Sequence, residues 1–499
     1  MRTEELVDAI VIGSGFGGSV AALRLGQAGL TTLVLERGRR WTVTPEHNTF
    51  ATYDKPDGRA AWLSDTTVDP IHDALPIDIY TGILDRKVGE NISVISGVGV
   101  GGGSLTFTGA LLQPEYEFFT RIFPRELDYE SFSTIYYPRV RDIIQPAPLP
   151  KDLYEDDHFE SSRLFLNWIH RAGLSAQFFD MAMDWSLIRQ ELLGNLEAHV
   201  TTGQEMWYGL NSGARLSLDK NYLALAEATR AVEILPLHVV TGIEAKKEQG
   251  QERYLVSGQR IDTSGSVVVD FTISCKYLFV AAGSIKTSEL MVTAKARGTL
   301  PRLNQHVGQG WGNNGDLVGI HFHHPSSTKL PQIPGALGTL DENNGLGSVR
   351  LLSDTLNDGS TDALLTLSMA FPSTGAFPNS GFFRYESETG GVSLHWPQSH
   401  PAIARLSAAT SATIARLEEA NSTNVMNTMK SIVNASMTAH PLGGMVLGKA
   451  CHINGQVHGY KHLYIVDGSL LPGSAGCANP ALTIAALAEH ILEQFLQSR

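Results

Sequence analysis

The chain has 499 residues, about three times a single domain of ~150 residues, which is length enough for two or three folding units. Apolar residues make up 42% and charged residues 18%, which excludes a disordered chain; a net charge of −13 with only short basic spots (Arg37, Arg39, Arg40; Lys246, Lys247) argues against nucleic acid as a partner. Three scattered cysteines (Cys275, Cys451, Cys477) make neither a disulfide framework nor a zinc knuckle, and no run of about 18 apolar residues predicts a membrane span.

The polar start from Met1 to Glu5 lacks leader character, which predicts a cytoplasmic protein or one whose leader has been removed. Val7 to Ile12 is apolar apart from Asp8 and runs into glycine, the pattern of a buried parallel strand. Val20, Leu23, Leu25 and Ala28 follow at helical spacing, with Gly29 as a C-terminal cap, and Thr31 to Leu35 reads as a second strand. A right-handed crossover makes this a βαβ unit. Its turn, Gly13-Ser14-Gly15-Phe16-Gly17-Gly18, matches G-x-G-x-x-G, and Glu36 ends the second strand. Glycines let the backbone approach a pyrophosphate at the helix N-terminus, and the acid can accept the ribose hydroxyls of an adenosine while repelling a 2′-phosphate. The motif alone leaves NAD and FAD both open.

Pro45 to Pro76, rich in Pro, Asp and Asn, reads as irregular surface or a lid. The second glycine cluster, Gly97 to Gly103 followed by Ser104 and Leu105, cannot be a helix interior, where each glycine costs ~1 kcal/mol, and suits backbone lying flat on a ligand. Residues 150 to 215 read as mixed helix and loop. Leu235 to Val240 and Lys276 to Ala281 read as strands bracketing a polar hairpin region around Gln249 to Asp262. Leu364 to Phe371 is strand-like, and Ala402 to Glu419 is helical. His321-Phe322-His323-His324 has no accompanying Cys, second carboxylate or HExxH partner, so a polar edge or pocket-lining strand is the expectation and no metal site. No G-x-S-x-G hydrolase signal occurs. Pro480 to Arg499 reads as a closing amphipathic helix (Ile484, Leu487, Ile491, Leu492, Phe495), with Asn479 as N-cap and Pro480 at the first helical position.

Several segments together resemble the glucose–methanol–choline (GMC) flavin oxidoreductases, and within them the bacterial cholesterol oxidase branch with non-covalent FAD. Besides the first fingerprint they are Gly101-Gly102-Gly103-Ser104, Tyr137-Pro138-Arg139, Ser217-Leu218-Asp219-Lys220 and Ala282-Gly283-Ser284. Trp311-Gly312-Asn313-Asn314-Gly315, His440-Pro441-Leu442-Gly443-Gly444, Asp467-Gly468-Ser469 and Asn479-Pro480 with Thr483 to Glu489 complete the set.

The resemblance implies an α/β chain in two domains. A Rossmann-like FAD-binding domain is expected from 1–45, 78–125, 222–318 and 440–499. A substrate-binding domain with a largely antiparallel sheet and flanking helices is expected from 46–77, 126–221 and 319–439. FAD is expected against Gly13, Gly15, Phe16, Gly17, Gly18, Glu36, Gly101, Gly102, Gly103, Ser104, Val240, Gly283, Asp467, Gly468 and Pro480. The implied reaction takes a bulky or secondary, steroid-like alcohol to a carbonyl by hydride transfer to flavin N5, with oxygen reduced to hydrogen peroxide. His440 is expected to handle the hydroxyl proton and Asn479 to orient the hydroxyl, since imidazole relays protons near neutral pH and an amide orients without titrating. Two other readings remain open: a dehydrogenase passing electrons from a non-steroid alcohol to another acceptor, and a flavin- or sterol-binding protein without turnover.

Two substrate-side departures stand out. Ser348 to Asp354 holds no glutamate where cholesterol oxidases carry their isomerase base, Asp354 being about three positions off, and Phe107 stands where an asparagine is expected. Retained flavin and alcohol chemistry without double-bond isomerisation is therefore the expectation.

Overall fold

The computed structural model describes residues 7–68, 73–196, 207–248, 250–322, 330, 332–333, 336–342, 344–355, 363–421 and 437–499. The βαβ unit forms as its pattern demands. β1 (Val7–Ile12) is buried except at Asp8, whose carboxylate accepts the Thr31 N–H at 3.0 Å. α1 (Phe16–Gln27) follows, then β2 (Thr32–Leu35), parallel to β1 and one residue shorter than expected at its start. The Pro-rich stretch beyond it carries no regular strand among its described residues, yet Phe50, Ala51 and Ala60 are buried against Trp41 and Leu84, so it is packed and not a loose surface. β3 (Leu84–Gly89) and β4 (Ile92–Gly97) then form a hairpin.

The middle of the chain supplies α2 (Tyr137–Ile144), α3 (Glu160–Arg171), the short β5 (Ala176–Phe178) and α4 (Tyr222–Ala228). β6 (Val232–Leu235) and β7 (His238–Glu248) divide the single strand expected at Leu235 to Val240. Pro236 and a left-handed Leu237 (φ +59°) break the extended run and turn the chain out of the parallel sheet. β8 (Gln251–Ile261) and β9 (Val267–Val280) continue an antiparallel meander, so the polar region around Gln249 to Asp262 is mostly strand. Its turn lies at Asp262, whose Oδ1 accepts the N–H groups of Ser264 and Ser266.

α5 (Gly283–Ala296), β10 (Gln309–Gly312), β11 (Asp316–Phe322), β12 (Leu337–Asp341), β13 (Gly347–Thr355) and β14 (Ala363–Pro372) come next. β15 (Gly381–Glu386), β16 (Gly391–His395), α6 (Pro401–Ala420), β17 (Met437–Thr438), β18 (Leu442–Gly444), β19 (Leu463–Ile465) and α7 (Pro480–Gln497) close the chain. His321 lies in β11, paired with Leu364, while His323 and His324 lie outside the described residues.

The strands form an α/β architecture. A seven-stranded sheet runs β6-β2-β1-β9-β8-β7, with β19 also on β9. Its β6-β2-β1-β9-β19 part is parallel, and β9 is long enough to serve both this part and the meander. α1 packs between this sheet, α4 and α7. α7 is less amphipathic than its sequence suggests: nearly every residue from Pro480 to Glu489 is buried. Glu489 is fully buried because Arg24 binds both its carboxylate oxygens at 2.7 Å and the Tyr222 hydroxyl donates to it at 2.9 Å.

A five-stranded antiparallel sheet, β11-β14-β13-β12-β5, carries α6 against β13 and β14 and faces the parallel sheet across a cavity. Smaller sheets, β16-β15-β10-β18 and β17-β4-β3, join the two. No described helix is long and apolar enough to cross a membrane.

Candidate active site

The cavity, 640 Å³ in volume, opens at the carboxyl ends of β1, β2 and β9, where open parallel sheets bind ligands, and extends beneath β11 and β14. Its glycines fall into two kinds. A Cβ on Gly13 would lie 2.4 Å from Ala281 O, on Gly17 1.5 Å from Val466 O, and on Gly102 2.7 Å from Gly15 Cα. There backbone packs on backbone, and only glycine fits. A Cβ on Gly15, Gly103 or Gly283 would meet nothing within 4 Å, and all three line the cavity. Gly15 is the N-cap of α1 and no side chain caps that helix, so its first turn is free to face an anion. This glycine-walled groove fits a dinucleotide.

Phe16, Glu36, Val240, Asp467, Gly468 and Pro480 also line the cavity. Glu36 is aimed by three donors: Ser14 N and Oγ at 3.1 and 2.7 Å on Oε2, and Gly38 N at 2.9 Å on Oε1. Asp467 ties two elements together, accepting Ser469 N and Oγ on one oxygen and Gly283 N and Thr287 Oγ1 on the other. Burial pushes its carboxyl above the ordinary value against the pull of those donors. Three expected residues do not line the cavity. Gly18 lies behind it, where a Cβ would sit 2.0 Å from Gly13 O; Gly101 (φ +114°) donates its N–H to Ser14 Oγ; and Ser104 Oγ bridges Gly101 O and Leu218 N. They hold the two glycine turns together.

At another wall, Arg37 binds Asp85 at 2.6 Å and Glu289 binds Lys87 and Lys286 at 2.7 and 2.8 Å. Burial raises both carboxyls, but the neighbouring cations outweigh it and hold them below their ordinary 3.8 and 4.5. Folded values below unfolded ones mean that these pairs stabilise the fold above the unfolded values and lose that contribution as pH falls through the folded ones. Thermal melts from about pH 6 to pH 3 are expected to show a shallower acid loss in an Asp85→Asn, Glu289→Gln double variant than in the parent.

His440 lies between β17 and β18, its backbone N–H bound to Thr438 Oγ1 at 2.9 Å. Its Nδ1 is 3.0 Å from Asp316 Oδ1, and its Nε2 is 3.2 Å from Asn479 Nδ2. The two residues expected to act together thus meet in the cavity wall, from positions 39 residues apart. Asn479 is the N-cap of α7 by its backbone only: its side chain makes no capping bond and turns to His440, leaving a buried Oδ1 with no partner. A buried carbonyl oxygen without a donor is costly, which marks it as a contact for a ligand.

The loop before Asn479 is clamped. Asn314, fully buried at φ +60°, donates to Ala478 O at 3.0 Å and accepts Ala475 N at 2.8 Å. Arg350, 2% exposed, donates to Cys477 O at 2.6 Å and pairs with Glu115. Cys477 itself is buried and its thiol is pushed up to about 12, so it is a packing residue. Asp316 and the clamping role of Asn314 escaped the sequence reading, as did Arg350. The signal for the first two was the Trp311 to Gly315 segment, which ends one residue before Asp316; Arg350 lies in the stretch searched for a glutamate. Phe107 lines the cavity edge-on to Phe16, with ring centroids 5.7 Å apart, and Trp207 also lines it, whereas Trp185, Phe371 and Phe377 are core. Among the described residues no group of three or more His, Cys, Asp or Glu is placed to hold a metal.

Comparison with known proteins agrees with this geometry. Residues 396–488 match the GMC oxidoreductase family model and residues 8–51 an FAD binding domain model. A cholesterol oxidase of Mycobacterium tuberculosis is 25% identical over 542 residues, covering 97% of this chain and 90% of that protein. One from Acinetobacter baumannii is 23% identical over 555 residues, covering 97% and 93%. Among solved structures, a fungal aryl-alcohol oxidase superposes with a TM-score of 0.67 at 14% identity, covering 99% of this chain and all of its own. A formate oxidase from Aspergillus oryzae gives 0.66 at 11% identity, covering 100% and 99%. Residues 396–488 thus carry a GMC oxidoreductase domain, residues 8–51 an FAD-binding domain, and the chain binds FAD.

Proposed function

We propose that this protein oxidises a secondary or otherwise bulky, apolar alcohol to its carbonyl and passes the electrons to oxygen, releasing hydrogen peroxide. The observation that carries the reading is the meeting of His440 Nε2 and Asn479 Nδ2 at 3.2 Å in the wall of the FAD-binding cavity, beside the unpartnered Asn479 Oδ1. When bound, FAD supplies the acceptor for the hydride that leaves the carbinol carbon. The chain's own groups handle the rest. His440 Nε2 takes the hydroxyl proton, while the Asn479 amide and the imidazole hold the oxygen between them. Phe107, Leu317, Val318, Leu367 and Met369 offer apolar walls that accept hydrocarbon and exclude water. The division into an FAD-binding part (1–45, 78–125, 222–318, 440–499) and a substrate-binding part (46–77, 126–221, 319–439) belongs to the same proposal.

Shifting a double bond requires a free base beside the substrate ring. Among the described lining residues of β11 and β14, Asp316 is the one acid, and its oxygens are taken by His440 and Thr438. A 5-ene sterol, if accepted, is therefore expected to leave as the unconjugated ketone. Appearance of conjugated-enone absorbance at the rate of oxidation contradicts this. The reaction itself is tested by screening alcohols and steroids for peroxide release by the holoenzyme. Carbonyl product without oxygen uptake, seen only with an added electron acceptor, replaces the oxidase by a dehydrogenase. No product with any alcohol removes the proposal.

A further inference from the structure

We infer that Asp316 is a positioning residue that holds His440 in the tautomer with its proton on Nδ1, so that the Nε2 lone pair faces Asn479 and the cavity. The inference rests on the reading of His440 as the proton acceptor and adds the group that prepares it.

The Thr438 hydroxyl has one proton, and its shortest acceptor is Asp316 Oδ2 at 2.6 Å, against 3.3 Å to Asn313 O. The same hydroxyl oxygen accepts the His440 backbone N–H. Asp316 Oδ1 is then left to receive a proton from His440 Nδ1 at 3.0 Å, since an ionised carboxylate only accepts. A neutral imidazole with Nδ1–H has a bare Nε2, and the Asn479 Nδ2–H donates to it. Each donor finds one acceptor, and the atom left over is Asn479 Oδ1.

Asp316 is rigidly held for this task. It opens β11 opposite Met369, its N–H is bound to Asn313 O at 3.0 Å, and Asn313 in turn accepts the Gly315 N–H at 3.1 Å. In water a free neutral imidazole favours the proton on Nε2, which here would point a proton at the alcohol's own. Asp316 reverses that preference. During oxidation the alcohol O–H takes the place of the Asn479 N–H at Nε2 and its proton moves to that nitrogen, giving an imidazolium with a proton on each nitrogen, while the hydride leaves carbon for the flavin. Asp316 remains an anion and faces the new positive charge, as the orienting carboxylate of a catalytic triad does.

The test uses holoenzyme with ¹⁵N-labelled histidine. Long-range ¹H–¹⁵N correlation is expected to show a protonated Nδ1 and a bare Nε2 for the ring whose signals vanish in His440→Ala. In Asp316→Asn the same ring is expected to shift toward Nε2–H, and flavin reduction by substrate to slow by about 10²-fold or more, with substrate affinity little changed. Asp316→Glu, which keeps the charge, is expected to recover part of the rate. A parent enzyme with His440 protonated on Nε2 overturns the inference, as does Asp316→Asn at full reduction rate while His440→Ala is dead. The parent spectrum alone decides if the Asp316 variants do not fold. Should no alcohol reduce the parent flavin, the proposed function fails, and the tautomer signal still reports on Asp316.

Discussion

His440→Ala is expected to bind FAD as the parent does yet to reduce it with alcohol about 10²- to 10⁴-fold more slowly. The imidazole lies in the wall at the Asn479 end of the cavity, whereas the glycine groove that receives the dinucleotide is built from other segments, so losing the ring leaves cofactor binding intact. Without Nε2 the hydroxyl proton has no acceptor, and the hydride must leave a protonated alcohol. Asn479→Ala is expected to slow reduction as well, by removing the amide that fixes the oxygen. An ordinary N-cap loss costs about 1 kcal/mol, but Asn479 makes no capping bond, so this variant is expected to melt close to the parent temperature. Anaerobic rapid mixing, flavin content and thermal melts check all three statements. A variant lacking the ring that reduces at the parent rate refutes the role given to His440.

Gly17→Ala and Gly15→Ala, two residues apart in one fingerprint, are expected to fail in opposite ways. At Gly17 a methyl would stand 1.5 Å from Val466 O, and that atom belongs to backbone that runs into the fully hydrogen-bonded Asp467. The helix must back away from the sheet, at a cost of about 3 kcal/mol, and both fold and cofactor suffer. At Gly15 the backbone is extended (φ −70°, ψ −165°) and the methyl points into the open groove. Its apoprotein is expected to melt like the parent apoprotein, while FAD affinity falls because the pyrophosphate has lost its close approach. Melting curves of the apoproteins and flavin absorbance per chain after purification separate the two. Equal loss of apoprotein stability in both variants contradicts the division of the glycines into packing and ligand-facing kinds.

What the sequence made visible follows from burial. β1, α1 and β2 are packed on nearly every side, so apart from Asp8 their apolar spacing carries through to the turn that ends each one. The hairpin character of the β7–β9 meander is legible but the length of its strands is not, because it projects beyond the parallel sheet and exposes residues on both faces; β7 carries Glu, Lys, Lys and Glu with little alternation. α7 misled in the other direction. Its polar residues suggest a solvent face, but Glu489 is drawn inside by Arg24 and Tyr222, partners 465 and 267 residues away. His440 and Asn479 were legible through their motifs. Asp316 was not, since one acid after a turn has no periodicity and acts on a ring 124 residues downstream. Arg350 hid likewise in an apolar strand that gives no hint that its guanidinium holds the loop before Asn479.

Anaerobic titration of the yellow holoenzyme with a series of secondary alcohols puts the whole reading at risk in one spectrum. Stoichiometric bleaching of the flavin band, one carbonyl formed per flavin and both lost in His440→Ala, is the predicted result. A band that stays oxidised with every alcohol, or that bleaches equally without the imidazole, contradicts it.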